Sequence, residues 1–283
     1  MASNKLVKPF LKWAGGKRQL SDAIMKEFPP SYNTYYEPFL GGGAILFECQ
    51  PKKACVGDQN EQLCITYTTI RDNVDELIEL LEEYNENNCS EFYYKIREQD
   101  RDSFSFKQRS AVEKAARLIY LNKTCYNGLY RVNSQGLFNT PYGRYKNPAI
   151  CEKPVLKAVS NYLNDNDIEI VCGDFASTVK NARSGDLIYF DPPYDSPNST
   201  NFTGYQAGGF DQSEQIRLRD LIVELTDNKV KCLLSNSSTD FIKSIYGNEF
   251  QEIFRITIVD AKRMINSNAE GRGAVQEVII RNW

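Results

Sequence analysis

Residues 35–48 read YYEPFLGGGAILFE, an apolar run that leads through three glycines into a second apolar stretch. The pattern predicts a β-strand, a tight turn and a helix that begins near Ala44. Glycines at such a turn let the backbone approach a ligand closely. Asp58 ends the next apolar run, about twenty residues on, where an acid can accept hydrogen bonds from ribose hydroxyls. The glycine turn and Asp58 together indicate a nucleoside-containing cofactor. The alternative for the glycines is a turn with a purely structural role.

Seven apolar, β-rich runs are predicted to be strands: residues 35–39, 54–57, 168–172, 186–190, 230–236, 251–259 and 274–282. Helical patterns lie between several of them. In residues 211–227, Asp211 and Glu214 have the spacing of a capping box. Strands that alternate with helices indicate an α/β fold with a mostly parallel sheet.

The stretch between residues 57 and 168 breaks this alternation. Its first half has helical patterns, and its second half predicts a hairpin around residues 134–136 followed by an irregular loop. Residues 101–160 carry eleven Lys and Arg against three Asp and Glu, a local charge of +8 in a chain whose net charge is −3. This asymmetry indicates a polyanion-binding surface, and a solvated charged face is the alternative. We therefore predict a catalytic domain at 1–62 and 160–283, with an inserted domain at 63–159.

The composition excludes several classes of protein. No apolar run approaches the roughly 20 residues of a membrane helix, and residues 1–13 lack the apolar core of a secretory signal, which predicts a cytoplasmic protein. The chain has no histidine, so His-based triads and most zinc-hydrolase sites are excluded. Its eight cysteines are scattered without a CxxC pair, as expected of reduced core residues. We expect no metal.

Two further motifs carry candidate site residues. Residues 10–20, FLKWAGGKRQL, predict a loop before a helix, in which Lys17 could neutralise a carboxylate and Trp13 could pack against a ligand. A surface loop with a buried tryptophan is the alternative. Residues 186–194, DLIYFDPPY, predict a buried strand whose carboxyl end carries an acid, two prolines and a tyrosine. Ligands bind at this end of α/β sheets, and rigid acceptors beside an aromatic ring suit a planar base with an exocyclic amine.

These motifs resemble the Dam family of DNA adenine-N6 methyltransferases (the D12 class, with the alpha order of motifs), and most closely its GATC-specific members. The resemblance covers nearly the whole chain, through LKWAGGK, EPFLGGGAILFE, NGLYRVN, FNTPYGRYKNP, FDPPY and the R-x(4)-N-x(3)-R pattern at 263–272. DPPY alone is shared by amino-methyltransferases in general, so it indicates the chemistry and not the target. Thr124 and Cys125, before Tyr126, differ from the residues of the enteric members. The resemblance therefore does not define the detailed DNA contacts of this stretch.

The resemblance implies a Rossmann-like methyltransferase fold with a mostly parallel seven-stranded sheet, plus an inserted helical and β-hairpin target-recognition domain. It implies S-adenosylmethionine as cofactor, without a metal. The cofactor-binding residues that it implies are Trp13, Ala14, Lys17, Glu37, Phe39, Asp58, Asp174, Phe175 and Asp191. The catalytic residues that it implies are Asp191, Pro192, Pro193 and Tyr194.

The implied reaction is methyl transfer to N6 of an adenine flipped out of double-stranded DNA. Asp191 and the Pro192 carbonyl would accept the two N6 hydrogens, and Tyr194 would stack on the base. The DNA-binding residues that it implies are Lys12, Tyr126, Asn127, Leu129, Arg131, Asn133, Pro141, Arg144, Tyr145 and Lys146. We expect a monomeric, bacterial or phage-encoded enzyme; N4-cytosine methylation and a catalytically silent DNA-binding relative remain alternatives.

Overall fold

A computed structural model of the chain describes residues 3–13, 15–17, 20–196, 209–262 and 274–283. The strands are β1 Tyr35–Glu37, β2 Lys53–Asp58, β3 Asp167–Cys172, β4 Leu187–Phe190, β5 Lys231–Ser237, β6 Arg255–Lys262 and β7 Ala274–Arg281. The helices are α1 Ser21–Lys26, α2 Ala44–Cys49, α3 Glu61–Asp72, α4 Val74–Glu86, α5 Ser90–Arg97, α6 Ser103–Gln108, α7 Ala111–Thr124, α8 Lys153–Asp165, α9 Phe175–Val179, α10 Gln212–Asp227 and α11 Asp240–Tyr246.

All seven strands form one sheet in the order β3-β2-β1-β4-β5-β7-β6, in which β7 runs antiparallel to its two neighbours. The predicted mostly parallel sheet is therefore confirmed. From β1 the chain builds outward to β2 and β3, and from β4 it builds in the other direction to β5. The strand order thus reverses between β1 and β4, and a crevice opens at such a point beyond the carboxyl ends of the strands. Both the glycine turn and DPPY leave the sheet there.

Strand β4 shows why these residues form the centre of the sheet. Its side chains Leu187, Ile188, Tyr189 and Phe190 are all buried. Because side chains alternate across a strand, Leu187 and Tyr189 pack into one hydrophobic cluster and Ile188 and Phe190 into another, on the opposite face. A strand that is covered on both faces reads as a continuous apolar run.

Two local predictions need correction. Strand β6 begins at Arg255, not at residue 251, because the backbone closes turns just before it: the Ile253 and Phe254 N–H groups donate to the Phe250 carbonyl. The capping box of α10 is only half present. The Asp211 side chain accepts from the Glu214 N–H, but the Glu214 carboxylate binds Arg217 instead of returning to the cap.

The predicted boundaries of the inserted domain, 62/63 and 159/160, fall inside α3 and α8. Both helices contact β3, so they belong to the layer that covers the sheet. The same two helices also contact α7 and α4 of the insertion, so the division of the chain into two domains stays a prediction. The insertion contains α4 to α7, and α7 starts with a complete capping box in which Ser110 and Glu113 exchange hydrogen bonds. The target-recognition role of this unit stays a prediction. Among the described residues, no helix is long and apolar enough to span a bilayer.

Candidate active site

Asp191 directly follows β4, and its two carboxylate oxygens have different surroundings. Oδ1 lies 2.7 Å from Lys17 Nζ and accepts a hydrogen bond of 3.0 Å from Ser235 Oγ. No hydrogen bond from the described residues reaches Oδ2. Burial raises the pKa of Asp191, while Lys17 and Ser235 act in the opposite direction. The described residues thus hold the carboxylate by one oxygen only.

Lys17 is 6% exposed and links three parts of the site. Its Nζ donates to the Gly15 carbonyl at 2.7 Å and lies 4.3 Å from the centroid of the Tyr194 ring. The Tyr194 hydroxyl in turn donates to Glu277 Oε2 at 2.7 Å. The charge of Lys17 therefore compensates Asp191, and the tyrosine ring is fixed by its hydroxyl and by a cation on its face.

The two prolines of DPPY differ in their hydrogen bonding. The Pro193 carbonyl accepts from Gln215 Nε2 at 2.9 Å, and Gln215 is 1% exposed. No donor among the described residues binds the Pro192 carbonyl. Because the proline ring fixes its own φ, the Pro192 carbonyl is a rigidly held acceptor next to Asp191.

Asp195, to which the sequence assigns no function, anchors the segment after DPPY. Its N–H donates to Asn236 Oδ1 at 3.2 Å, and its Oδ2 accepts from Thr239 Oγ1 at 2.6 Å. Its carbonyl accepts from Ser237 Oγ at 2.7 Å. These bonds tie the chain to the end of β5 and fix the direction in which it leaves the active site.

The glycine turn and the N-terminal loop pack on each other beside Asp58. The Asp58 carboxylate accepts from the Gly41 and Asn60 N–H groups, both at 2.9 Å. Gly41 has a φ of +50°, and a Cβ there would lie 2.9 Å from Trp13 Cδ1. Burial raises the pKa of Asp58, and the N–H donors oppose that shift. The turn therefore needs glycine for its conformation and for its contact with Trp13.

A cluster of three aromatic rings lies beyond Asp58. Phe39 stacks on Phe175 with 5.4 Å between ring centroids. Phe210 makes an edge-to-face contact with Phe39 and a tilted contact with Phe175. Arg217 lies 4.0 Å above Phe175 and donates to both oxygens of Asp174, at 3.1 and 2.5 Å. Arg217 holds the pKa of Asp174 below its usual value. The predicted residues Phe39, Asp174 and Phe175 thus meet at one place.

The predicted DNA-contacting residues lie on two segments that pair with each other. Cys125 bridges to Tyr142 and Val132 bridges to Phe138, and the Tyr126 N–H donates to the Pro141 carbonyl at 2.8 Å. Thr124 and Cys125 are buried, so their departure from the enteric pattern concerns packing. Exposed side chains on the two segments are Tyr126, Asn127, Arg131, Pro141, Arg144, Tyr145 and Lys146.

Several cations of this surface have no acidic partner. No ion pair among the described residues involves Arg131, Arg144 or Lys146. By contrast, Arg117 pairs with Asp100 and Lys123 with Glu152. Three exposed cations without an acidic partner among the described residues therefore lie on the hairpin and the loop after it.

Two predicted contacts also have clear structural duties. Asn133 Oδ1 accepts from the Gln135 and Leu137 N–H groups at 3.0 Å and so forms the hairpin turn. The Leu129 carbonyl accepts from Thr140 Oγ1 at 2.7 Å across the hairpin. Lys12 joins this surface from the N-terminal loop, since its Cδ lies 2.6 Å from where a Cβ of Gly128 would stand. Ala14 and the pattern at 263–272 lie outside the described residues.

The chain matches the family model "D12 class N6 adenine-specific DNA methyltransferase" over residues 13–265. It belongs to this family. It is 43% identical to the Type II methyltransferase M1.LlaDCHI of Lactococcus lactis subsp. cremoris, over 100% of this chain and 98% of that one. It is 42% identical to M.MjaIII of Methanocaldococcus jannaschii, over 98% and 99%. A DNA adenine methylase of Haemophilus influenzae is 34% identical over 96% and 92%. The protein is thus an adenine-specific DNA methyltransferase.

Sequence reasoning missed several residues of the methyltransferase site. Ser235, Gln215 and Glu277 contact DPPY, while Phe210 and Arg217 contact the aromatic cluster. One signal was available: Ser235 and Asn236 end the apolar run VKCLLSN, at the same edge of the sheet as DPPY. The other four, Gln215, Glu277, Phe210 and Arg217, depend on neighbours that are distant along the chain.

Glu37 of the methyltransferase gives a testable pH dependence of stability. The side chain is 2% exposed and accepts from the Tyr35 hydroxyl at 2.8 Å, and burial raises its pKa to about 8. The unfolded carboxyl loses its proton near the ordinary glutamate pKa of 4.5, whereas the folded one keeps it until its raised pKa of about 8. The free energy of unfolding therefore falls as the pH rises through this window, by at most about 1.4 kcal/mol per unit.

Glu37→Gln should remove that slope, because glutamine does not titrate and can still hydrogen-bond the Tyr35 hydroxyl. Denaturant unfolding of both proteins at pH 5 and pH 8 measures the effect. The difference in unfolding free energy between the two pH values should be smaller in the variant. An unchanged difference would mean that Glu37 is already ionised in the folded protein.

Proposed function

We propose that this methyltransferase transfers the methyl group of S-adenosylmethionine to N6 of an adenine that is flipped out of double-stranded DNA, at GATC sites. The arrangement of Asp191 Oδ2, the Pro192 carbonyl and the Tyr194 ring carries the proposal. It offers two acceptors to which no other described residue donates, beside an aromatic ring, at the crevice between β1 and β4. An exocyclic amine has two hydrogens to donate, and the planar base can stack on the ring.

The residues present fit S-adenosylmethionine. The Asp58 carboxylate lies where ribose hydroxyls can donate to it, and the glycine turn lets the backbone come close to the ligand. The rings of Phe39 and Phe175, with the Asp174 carboxylate, suit an adenine ring and its amine. Trp13 closes the turn from the other side. When bound, the cofactor supplies an electrophilic methyl group on a sulfonium.

The protein groups would make the N6 amine a better nucleophile. The N6 lone pair of adenine is delocalised into the ring. Asp191 Oδ2 and the Pro192 carbonyl accept the two N6 hydrogens and so orient the lone pair out of the ring plane. Tyr194 holds the base, and Lys17 favours the ionised form of Asp191 against the effect of burial, which raises its pKa. Positioning and fixed electrostatics supply the rate enhancement, and the chain's own groups form no covalent intermediate.

The hairpin surface would bind and read the DNA. Its unpaired cations Arg144 and Lys146 suit phosphates, and the exposed Arg131 suits a guanine edge. A base can reach Asp191 only outside the duplex, and Tyr126, 56% exposed, suits the gap that it leaves. We further propose that the enzyme acts as a monomer in the cytoplasm.

Methyl-labelled S-adenosylmethionine tests the proposal on three duplexes: one with GATC, one with a single base of the site changed, and one with N6-methyladenine already present. Label is expected only in the first, at adenine N6. Equal label in all three would refute GATC specificity, and label on cytosine would refute the adenine target. Cofactor binding without any DNA methylation would indicate a silent DNA-binding relative.

A further inference from the structure

The polar pair Ser235 and Asn236 lies near the carboxyl end of β5, next to DPPY, and both side chains are fully buried. The parallel register pairs Phe190 with Leu234, so the next residues, Asp191 and Ser235, lie side by side. Neither serine nor asparagine is common in the interior without a purpose, because a buried polar group must be hydrogen-bonded. The Ser235 hydroxyl contacts Asp191, and the Asn236 amide donates to Gln215, which binds the Pro193 carbonyl.

We propose that Ser235 is a positioning residue for the reaction: it holds Asp191 Oδ1 so that Oδ2 faces the target amine. Asn236 serves the same site through Gln215, which holds the Pro193 carbonyl. The inference rests on the proposed function, since it assumes that Asp191 receives an N6 hydrogen.

The hydrogen bonds of Ser235 can run in only one sense. Its Oγ lies 3.0 Å from Asp191 Oδ1 and 2.8 Å from the Tyr189 hydroxyl. A carboxylate can only accept, so the single hydroxyl hydrogen of Ser235 goes to Asp191. Tyr189, which is fully buried, must then donate to Ser235. Two bonds, from Ser235 and from Lys17, thus fix the rotation of the carboxylate, and the buried tyrosine fixes the serine.

Gln215 and Asn236 fix the second acceptor in a comparable way. Asn236 Nδ2 donates to Gln215 Oε1 at 3.0 Å, which leaves Gln215 Nε2 directed at the Pro193 carbonyl at 2.9 Å. Because the Pro193 carbonyl is engaged, the Pro192 carbonyl is the free acceptor of the motif. The amide pair therefore decides which of two adjacent carbonyls faces the ligand.

The charged groups around Asp191 give the sign of a pH effect. Lys17 faces it from the N-terminal loop, Glu37 from β1, and the hydroxyls of Tyr189 and Tyr194 from β4 and the motif itself. Glu277 lies behind Tyr194. Lys17 and Ser235 favour the ionised carboxylate, whereas burial opposes it. Loss of the Ser235 hydroxyl should therefore make Asp191 harder to ionise.

The test compares Ser235→Ala with the wild type on a DNA that the wild type methylates. We expect kcat to fall about 10- to 100-fold with KM for DNA and Kd for the cofactor within about twofold. The acidic limb of the kcat–pH profile should move up by about one unit, since a hydrogen bond to a charged group has that order of effect. Ser160→Ala, which removes an equally buried hydroxyl on α8, is the matched control and should match the wild type.

A second variant separates the two halves of the proposal. Gln215→Met removes the donor to Pro193 without touching Asp191, so it should lower kcat and leave the acidic limb in place. If Ser235→Ala does not fold, Ser235→Cys keeps the volume with a weaker donor and should show a smaller shift of the same sign.

Unchanged kcat in Ser235→Ala, or a loss of activity without a shift of the acidic limb, would overturn the positioning role. A wild type that methylates adenine N6 in another DNA sequence would refute only the GATC proposal, and the comparison could then use that sequence. If the wild type leaves adenine N6 unmethylated in every duplex, both the proposed function and the positioning role of Ser235 are refuted.

Discussion

Asp191→Ala is expected to lower the rate of methyl transfer by about 10³-fold, the scale seen when one fixed electrostatic contact to a reacting group is lost. The variant loses Oδ2, the only side-chain acceptor for the amine in the proposed arrangement, and leaves Lys17 buried without its counter-charge. Single-turnover transfer from labelled cofactor measures the rate. DNA affinity, measured by anisotropy, should stay close to that of the wild type.

An unpaired buried lysine can also destabilise the fold, by about 3–5 kcal/mol for a fully buried pair. The double variant Lys17→Met/Asp191→Ala removes both charges, so its stability should recover in part while its activity stays absent. Asp195→Ala is the control within the same loop, since Asp195 bonds Thr239 and not the transfer centre. The Asp195→Ala variant should lose much less of the methyl-transfer rate than Asp191→Ala. Full activity in Asp191→Ala would refute the assigned role.

The fold was predictable because its signals are local. The apolar runs of β1 and β4, followed by glycines and prolines, mark strands that end at a ligand site. A strand that is buried on both faces, such as DLIYF, is a continuous apolar run, whereas a half-exposed strand alternates apolar and polar residues. The same reasoning brought Asp58, Asp191 and the glycine turn to one edge of the sheet.

The remaining site residues depend on strand order, which the sequence does not display. Glu277 reaches Tyr194 only because β7 enters the sheet antiparallel, between β5 and β6. Arg217 reaches Asp174 across 43 residues of chain, from the first turns of α10. Ser235 is the exception: a polar residue at the end of an apolar strand is visible in the sequence, but only the β4–β5 register places it beside Asp191.

The limits of the insertion could not be read from periodicity. Helices α3 and α8 have apolar faces like the helices of the insertion, and a face pattern does not say which layer it covers. Both helices contact β3, but α3 also contacts α7 and α8 contacts α4, so the limits of the insertion stay a prediction. Charge was the better guide, because the unpaired cations Arg131, Arg144 and Lys146 lie between the two helices.

Arg131→Ala is expected to reduce the preference for guanine at one position of the site by about 1–3 kcal/mol, or about 5- to 150-fold. The Arg131 side chain is exposed, and its Nε donates to Asn139 Oδ1 at 2.8 Å. This bond orients the guanidinium, and neither terminal nitrogen has a hydrogen bond to the part of the chain that the structure describes. Two parallel N–H donors match the O6 and N7 acceptors of guanine. Relative kcat/KM on GATC and on duplexes with the guanine replaced measures the preference.

Lys146→Ala separates base reading from simple charge. Lys146 is an exposed cation of the same surface, and a phosphate contact weakens binding to all sequences alike. This variant should therefore lower the affinity for all DNA sequences alike. It should also reduce the slope of log K against log salt concentration by about one. Asn139→Ala, which frees the Arg131 guanidinium, should lose part of the guanine preference although Asn139 carries no charge. If Arg131→Ala instead behaves like Lys146→Ala, Arg131 contacts phosphate and the guanine must be read by another residue.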